Sequence, residues 1–104
     1  MADTYDITLG SGRVQINGIV EQKGTIAIQV VSDANLDASI TLKLQQSIDG
    51  TNWHDLPEAP ATHTSGVSST LLQTASFYTN LLAVYVTVGS ATLGELTIYN
   101  PDLD

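Results

Sequence analysis

The alternation of apolar and polar residues at every second position is the feature of this sequence that most constrains its fold. Successive side chains of a β-strand point to opposite faces of a sheet, so such a run predicts a strand with one buried and one exposed face. The runs are also rich in β-branched residues, which favour strands. They cover residues 5–9, 14–18, 26–31, 40–45, 82–88 and 96–99.

Turn residues separate these runs. Asp49-Gly50-Thr51-Asn52 is the strongest signal, because Asp-Gly tolerates the positive φ angles of a tight hairpin. Gly89 and Gly94 bracket a second predicted hairpin, between the last two strands. Further polar turns are predicted at residues 10–12, 21–24 and 32–37. Short strands at this spacing, without an amphipathic helical window, predict one all-β domain over residues 1–104, an antiparallel β-sandwich or jelly roll.

Three segments do not alternate clearly. Residues 57–66 contain two prolines and few apolar side chains, which predicts a loop. Residues 68–80 place leucines where a helical turn would fit, but their threonines and aromatic residues favour the strand that we predict there. Residues 100–104 are expected to form a flexible tail, because Pro101 cannot donate a hydrogen bond to a ladder.

Composition excludes several classes of function. The net charge is −8, from eleven acidic residues against three basic ones. Binding of nucleic acid or of an anionic membrane needs clustered lysine and arginine, so neither is expected. There is no cysteine, and hence no disulfide or thiolate metal site. The chain has neither an apolar run of about 18 residues nor the layout of a signal peptide, so we expect no membrane span and no secretion.

The residues that could carry catalysis or bind metal lie around the predicted hairpin and the loop after it. His54 and His63 are the only histidines, and no Gly-x-Ser-x-Gly motif accompanies them. Asp49 and Asp55 flank the hairpin, where aspartate normally forms turns. With Asn52 they offer oxygen ligands, but their spacing does not match a calcium-binding loop. The sequence therefore predicts no enzyme, no metal and no cofactor.

Three aromatic residues offer candidate contact surfaces. Trp53 is expected in the core, where it would close the hairpin; the alternative is a sugar-stacking platform of a carbohydrate-binding module. Tyr85 and Tyr99 lie opposite the buried faces of their strands and are expected to be neighbours across the last hairpin. Such a pair serves either as a partner-contact surface or as a cross-strand pair that stabilises the sheet.

The N-terminal segment is a second candidate contact surface. Tyr5, Ile7 and Leu9 alternate along a predicted strand, which the glycine-containing segment 10–12 joins to the rest of the chain. Residues 1–12 can therefore act as an arm that adds a strand to a neighbouring subunit. The alternative is an ordinary edge strand of the chain's own sheet.

A resemblance covers residues 40–99. Residues 40–57, with the sequence ITLKLQQSIDGTNWHDLP, contain a strand, a Ser-x-Asp-Gly-x-x-Trp turn and a second strand. This hairpin resembles that of discoidin-like domains and of small β-sandwich structural proteins of tailed bacteriophages. Residues 82–99 resemble the two strands that follow it in the phage proteins.

The resemblance implies an accessory virion protein. Discoidin relatives that bind sugars or lipids usually carry arginines on the later strands and disulfide-forming cysteines; residues 82–88 hold no basic residue and the chain has no cysteine. We therefore expect a capsid decoration (cement) protein that binds the major capsid protein or other virion subunits and can form a homo-oligomer. It would be assembled in the bacterial cytoplasm and located in the virion. The alternatives are a jelly-roll carbohydrate-binding module and a phage tail or receptor-binding component.

Overall fold

The structure, a computed structural model, describes residues 2–16, 24–79 and 81–99. These residues form nine β-strands and one 3₁₀ helix, and none of their helices is long and apolar enough to cross a membrane. The 3₁₀ helix spans Ile7–Leu9. The strands are β1 (Ala2–Asp6), β2 (Gly12–Gln15), β3 (Gly24–Ser32), β4 (Ile40–Ser47), β5 (His54–Asp55), β6 (Ala61–His63), β7 (Ser69–Phe77), β8 (Leu81–Thr87) and β9 (Glu95–Tyr99).

The strands form two antiparallel sheets. One has the order β1-β9-β3-β7, and the other has the order β2-β8-β4-β5, with β6 also paired to β4. β5 and β6 lie end to end along the same strand, since β5 pairs with Gln45 and Gln46 and β6 with residues 40–42. Counting them as one interrupted strand gives two four-stranded sheets, and most connections cross from one sheet to the other. This is the jelly-roll arrangement, and the prediction of an all-β antiparallel sandwich is confirmed.

The core lies between the two sheets and follows the predicted alternation. Inward-facing side chains of β3, β4, β8 and β9 alternate with exposed or half-buried ones. Strand β7 contributes Leu72 and Phe77 to the core, which confirms the strand predicted within residues 68–80. Burial of these apolar side chains is the main favourable term in folding. The fully buried large side chains include Ile16, Ile26, Ile28, Ile40, Leu42, Leu56, Leu82, Leu96 and Ile98.

Two predictions about connections are wrong. The last two strands do not form a hairpin, because β8 and β9 belong to different sheets and the segment between them crosses the sandwich. Residues 57–66 are not all loop, since they include β6. Pro57 and Pro60 lie between β5 and β6. Neither position needs an N–H group for a ladder hydrogen bond, so proline is tolerated there. The predicted turn at residues 21–23, the alternation at Gly18 and the predicted tail at residues 100–104 lie outside the described residues.

The strand predicted at the N-terminus extends to Leu9, three residues beyond the end of the observed strand. Strand β1 stops at Asp6, whose carboxylate accepts the N–H of Thr8 at 2.9 Å and caps the 3₁₀ helix. The helical turn places Ile7 in the core, 1% exposed, and leaves Leu9 74% exposed. Because β1 pairs with β9 over five residues, the N-terminal segment is an edge strand of the chain's own sheet.

The burial of Ile7 yields a stability prediction. Ile7→Ala should lower the free energy of unfolding by about 2–5 kcal/mol, the range for deleting a buried aliphatic side chain. Leu9→Ala, two residues away on the exposed side, should change it by less than about 0.5 kcal/mol. Urea denaturation of both variants checks this. Equal losses would contradict the 3₁₀ turn, because a strand would bury both side chains alike.

Candidate functional site

Four loops meet at one end of the sandwich, which we call the loop end. They are residues 7–11, 33–39, 64–68 and 88–94. The N–H of Ile7 donates to the carbonyl of Gly94 at 2.9 Å, and the N–H of Gly66 donates to the carbonyl of Leu36 at 2.9 Å. These bonds join the first loop to the fourth and the second to the third, so the loops support one another.

Gly94 is the point of closest approach between the loops. Its φ angle is +139°, and a Cβ added there would lie 2.8 Å from the Cα of Leu36. An L-residue disfavours that φ, and a backbone atom cannot move away from the added carbon. Glycine at this position therefore allows the 33–39 and 88–94 loops to pack directly against each other.

Two aspartate carboxylates accept hydrogen bonds from backbone N–H groups at the loop end. Asp37 accepts hydrogen bonds from the N–H groups of Thr92, at 2.9 Å, and Leu93, at 3.2 Å, and from the Thr92 hydroxyl. The Thr92 hydroxyl and these amides stabilise the charged carboxylate, so the pKa of Asp37 lies below its ordinary value. Oδ1 of Asp33 accepts hydrogen bonds from the N–H groups of Asn35, at 3.1 Å, and Glu95, at 3.2 Å.

This framework displays apolar side chains to solvent. Leu9, Val67 and Leu93 come from three of the four loops and are exposed, Leu93 by 50%. Acidic residues surround part of the same end, where Asp6, Asp33 and Glu95 line a cleft of about 190 Å³. Apolar groups held by an ordered backbone, with a charged rim, are typical of protein-contact surfaces.

The predicted hairpin lies at the opposite end of the sandwich. Oδ1 of Asp49 accepts the N–H groups of Thr51, at 2.9 Å, and Asn52, at 2.8 Å, while its Oδ2 accepts Nδ2 of Asn52 at 2.7 Å. These donors hold the pKa of Asp49 well below its ordinary value. Gly50 takes a φ of +77° in this turn. Its residues thus form the turn that the sequence predicts.

The hairpin residues do not assemble a metal centre in the described part of the chain. No group of three or more histidine, aspartate or glutamate side chains is placed to hold an ion there. The Asp49 oxygens are occupied by the turn, and Oδ1 of Asp55 accepts Nε2 of Gln45 at 2.8 Å.

Beside the hairpin lies a cleft of about 560 Å³. Tyr78, at its border, is exposed, and its N–H donates to Oε1 of Gln46 at 3.3 Å. The cleft therefore combines amide, carboxylate, imidazole and hydroxyl groups. It is lined by Gln46, Ser47, Ile48, Asp49, Asn52, His54 and Thr79.

Trp53 is not the core residue that the sequence predicts. It is half-buried and lies against Arg13, whose guanidinium carbon is 5.2 Å from the centroid of the indole ring. Its Nε1–H donates to the carbonyl of Gly50 at 3.3 Å. Arg13 also bonds Gln45 across the outer face of the sheet, so Trp53 covers that outer face, and the buried Leu56 fills the core instead.

The two later tyrosines are not neighbours, which corrects the prediction of an outward-facing pair. Tyr85 on β8 is half-buried and pairs in register with Arg13 and Lys43, whereas Tyr99 on β9 is exposed and pairs with Gln29. Because their strands belong to opposite sheets, the two rings occupy opposite outer faces of the sandwich.

The three N-terminal residues predicted to contact a partner also lie in different environments. Tyr5 is half-buried against the core, and its hydroxyl donates to the carbonyl of Gly10. Burial raises the pKa of Tyr5. Ile7 is in the core, so only Leu9 reaches solvent at the loop end. Of the five residues predicted to contact a partner, Leu9 and Tyr99 are exposed, and they do not form one surface.

A buried histidine is the feature that the sequence reasoning missed. His63, expected in a loop, is fully buried, with Nδ1 2.6 Å from Oγ1 of Thr70 and Nε2 2.8 Å from Oγ of Ser32. It thereby ties β6 to β7 and β3. The available signal was period-two spacing, which puts His63 on the same inward side as Ala61.

The hydrogen bonds of His63 also fix the tautomer of its neutral form. The Ser32 hydroxyl donates to the carbonyl of Gly66, so it can only accept from Nε2–H of His63. The Thr70 hydroxyl then donates to Nδ1. Burial lowers the pKa of His63 and thus disfavours the charged imidazolium. Because the Ser32 proton points away from the imidazole, the pair lacks the arrangement of a nucleophile and its base.

Comparisons with known proteins inform the fold. No family model matches the chain, and no curated protein matches it. A solved structure described as the crystal structure of PirA matches with a TM-score of 0.62, over 95% of this chain and 92% of that chain, at 10% sequence identity. At that identity the likeness shows the fold alone.

His63 gives a pH prediction. Its pKa is lower in the folded than in the unfolded chain, so the unfolded state binds the proton more readily below about pH 6.5. The free energy of unfolding should therefore fall as the pH drops through that range. Urea denaturation at several pH values should show that the free energy of unfolding falls less with pH in His63→Gln than in the wild type. The control His54→Gln, at an exposed position, should show the same fall as the wild type. Identical falls in both variants would contradict the assignment.

Proposed function

We propose that this chain is a non-enzymatic structural protein of a virion, a capsid decoration (cement) protein that binds the major capsid protein through its loop end. The observation that supports this most is the exposure of Leu9, Val67 and Leu93 on one hydrogen-bonded framework. The resemblance of residues 40–99 to phage β-sandwich proteins supports a virion subunit as the partner. The jelly roll is also a common fold of viral capsid domains.

The framework makes the loop end suitable for tight binding. The loops are already joined through Gly94, Leu36 and Asp37, so little conformational entropy is lost when a partner covers them. Apolar contact at Leu9 and Leu93 would supply affinity. The surrounding carboxylates favour a capsid surface with a basic rim, so the association rate should fall as salt is added.

A jelly-roll carbohydrate-binding module is the second candidate. The cleft beside the hairpin supports it, since amide, carboxylate and imidazole groups line it, and the exposed Tyr78 precedes the lining residue Thr79 in the chain. Sugars stack on aromatic rings, and their hydroxyls need fixed polar partners. This site lies at the opposite end of the sandwich from the loop end, so mutations can separate the two functions.

Co-sedimentation with capsid shells tests the proposal. If the proposal is correct, shells assembled from the major capsid protein of the same virion should carry the wild-type protein down. Leu93→Lys should weaken this binding by at least about tenfold, because a charge replaces an apolar contact. The matched control is Ile48→Lys, the same kind of change at an exposed apolar residue of the opposite end.

The outcomes distinguish the candidates. Binding that survives Leu93→Lys but is lost in Ile48→Lys would move the contact to the hairpin end. Wild-type protein that does not bind shells, but binds a glycan array and loses that binding on His54→Ala, would support the carbohydrate-binding module instead.

A further inference from the structure

The two sheets have four edges, and three of them carry features that prevent pairing with another chain. Strand β1 is short and contains Asp3 and Asp6, and β2 has four residues including Arg13. Strands β5 and β6 have two and three residues and are separated by a segment with Pro57 and Pro60. Shortness, charge and proline are the usual protections of an exposed edge.

The fourth edge, β7, has none of these features. It spans Ser69–Phe77, nine residues without a charged residue or a proline. Its neighbour β3 is equally uncharged, so the outer face of these two strands carries no charge in a chain whose net charge is −8. Leu71 is 60% exposed on that face. The register with β3 is regular from Ser69 to Thr74 and shifts only beyond Thr74. A long, uncharged edge with a regular register is a site for strand addition.

The register identifies the main-chain groups that β7 offers. The N–H of Ser32 donates to the carbonyl of Ser68, and bonded and non-bonded pairs alternate along an antiparallel ladder. Thr70 and Leu72 therefore direct their main-chain groups toward β3. Within the described residues, no strand pairs with the other side of β7. The main-chain groups pointing away from β3 belong to Ser69, Leu71 and Gln73.

We propose that β7 pairs antiparallel with β7 of a second copy of this chain, about a two-fold axis beside Leu72. Unpaired N–H and C=O groups in a row form a template with which another strand can pair. A second copy fits because the segment is complementary to itself: Leu71 of one copy lies beside Gln73 of the other, and no like charges face each other. The pairing joins two four-stranded sheets into one of eight strands.

Glu58 is an acidic residue that lies beside this edge but not on β7. It lines a cleft of about 260 Å³ together with Leu71 and Gln73, but its Oε1 is buried inside its own subunit. The main-chain carbonyls of Leu56 and Glu58 accept hydrogen bonds from Nζ of Lys43, which holds this segment against its own sheet. Each copy therefore brings one carboxylate close to the shared edge, on a segment that is fixed to its own subunit.

Sedimentation equilibrium tests the pairing. The wild-type protein should approach twice its mass of 11.0 kDa as its concentration rises. Leu71→Lys should raise the dimer dissociation constant by at least about tenfold, because a lysine on an edge strand opposes pairing. This substitution lowers the net negative charge, so a loss of dimer cannot come from added overall repulsion. Leu93→Lys, with the same charge change at the loop end, is the control and should dimerise normally.

Hydrogen exchange of the wild-type protein gives a second measurement that needs no variant. The amides of Ser69, Leu71 and Gln73 should gain protection as concentration rises, while those of Thr70 and Leu72 stay protected throughout. A wild-type protein that remains monomeric at about 1 mM, or equal loss of dimer in both lysine variants, would overturn the proposal. Capsid binding is not needed for either measurement, so the two proposals can fail separately.

Discussion

The close packing of Gly94 against Leu36 is the contact on which the loop end depends. It brings the β8–β9 loop onto the β3–β4 loop, and the same glycine accepts the hydrogen bond from Ile7 that fixes the turn after β1. The carbonyl of Leu36 in turn holds Gly66. A side chain at position 94 would separate these loops, because the atom it meets is backbone. The ordered display of Leu9 and Leu93 follows from this contact.

The jelly-roll topology separates the surfaces on which the proposals rest. Connections that cross between sheets bring four loops together at one end, whereas the sheet edges lie along the sides. Under the two proposals, the loop end contacts the shell and β7 pairs with a second copy, and neither surface covers the other. The absence of charge along β3 and β7 permits such pairing in a strongly acidic chain.

Period-two alternation was sufficient to predict most of the long strands, the sandwich and most of the core, because burial on one face leaves a direct pattern in a strand. The Asp49–Asn52 turn was also predictable, since its bonds are local. Trp53 and the Tyr85–Tyr99 pair were misplaced for a different reason: their surroundings depend on which strands become neighbours across the whole chain. The burial of His63 likewise depends on partners from β3 and β7, 31 and 7 residues away.

The melting temperature of Gly94→Ala, measured against that of Gly66→Ala, tests the central claim most directly. Both glycines have positive φ, but an added Cβ meets nothing within 4 Å at position 66 and meets Leu36 at position 94. Gly66→Ala should cost about 1–2 kcal/mol from backbone strain alone, and Gly94→Ala more than about 3 kcal/mol, with a correspondingly larger fall in melting temperature. Equal falls in the two variants would contradict the claim that the loop end depends on this contact.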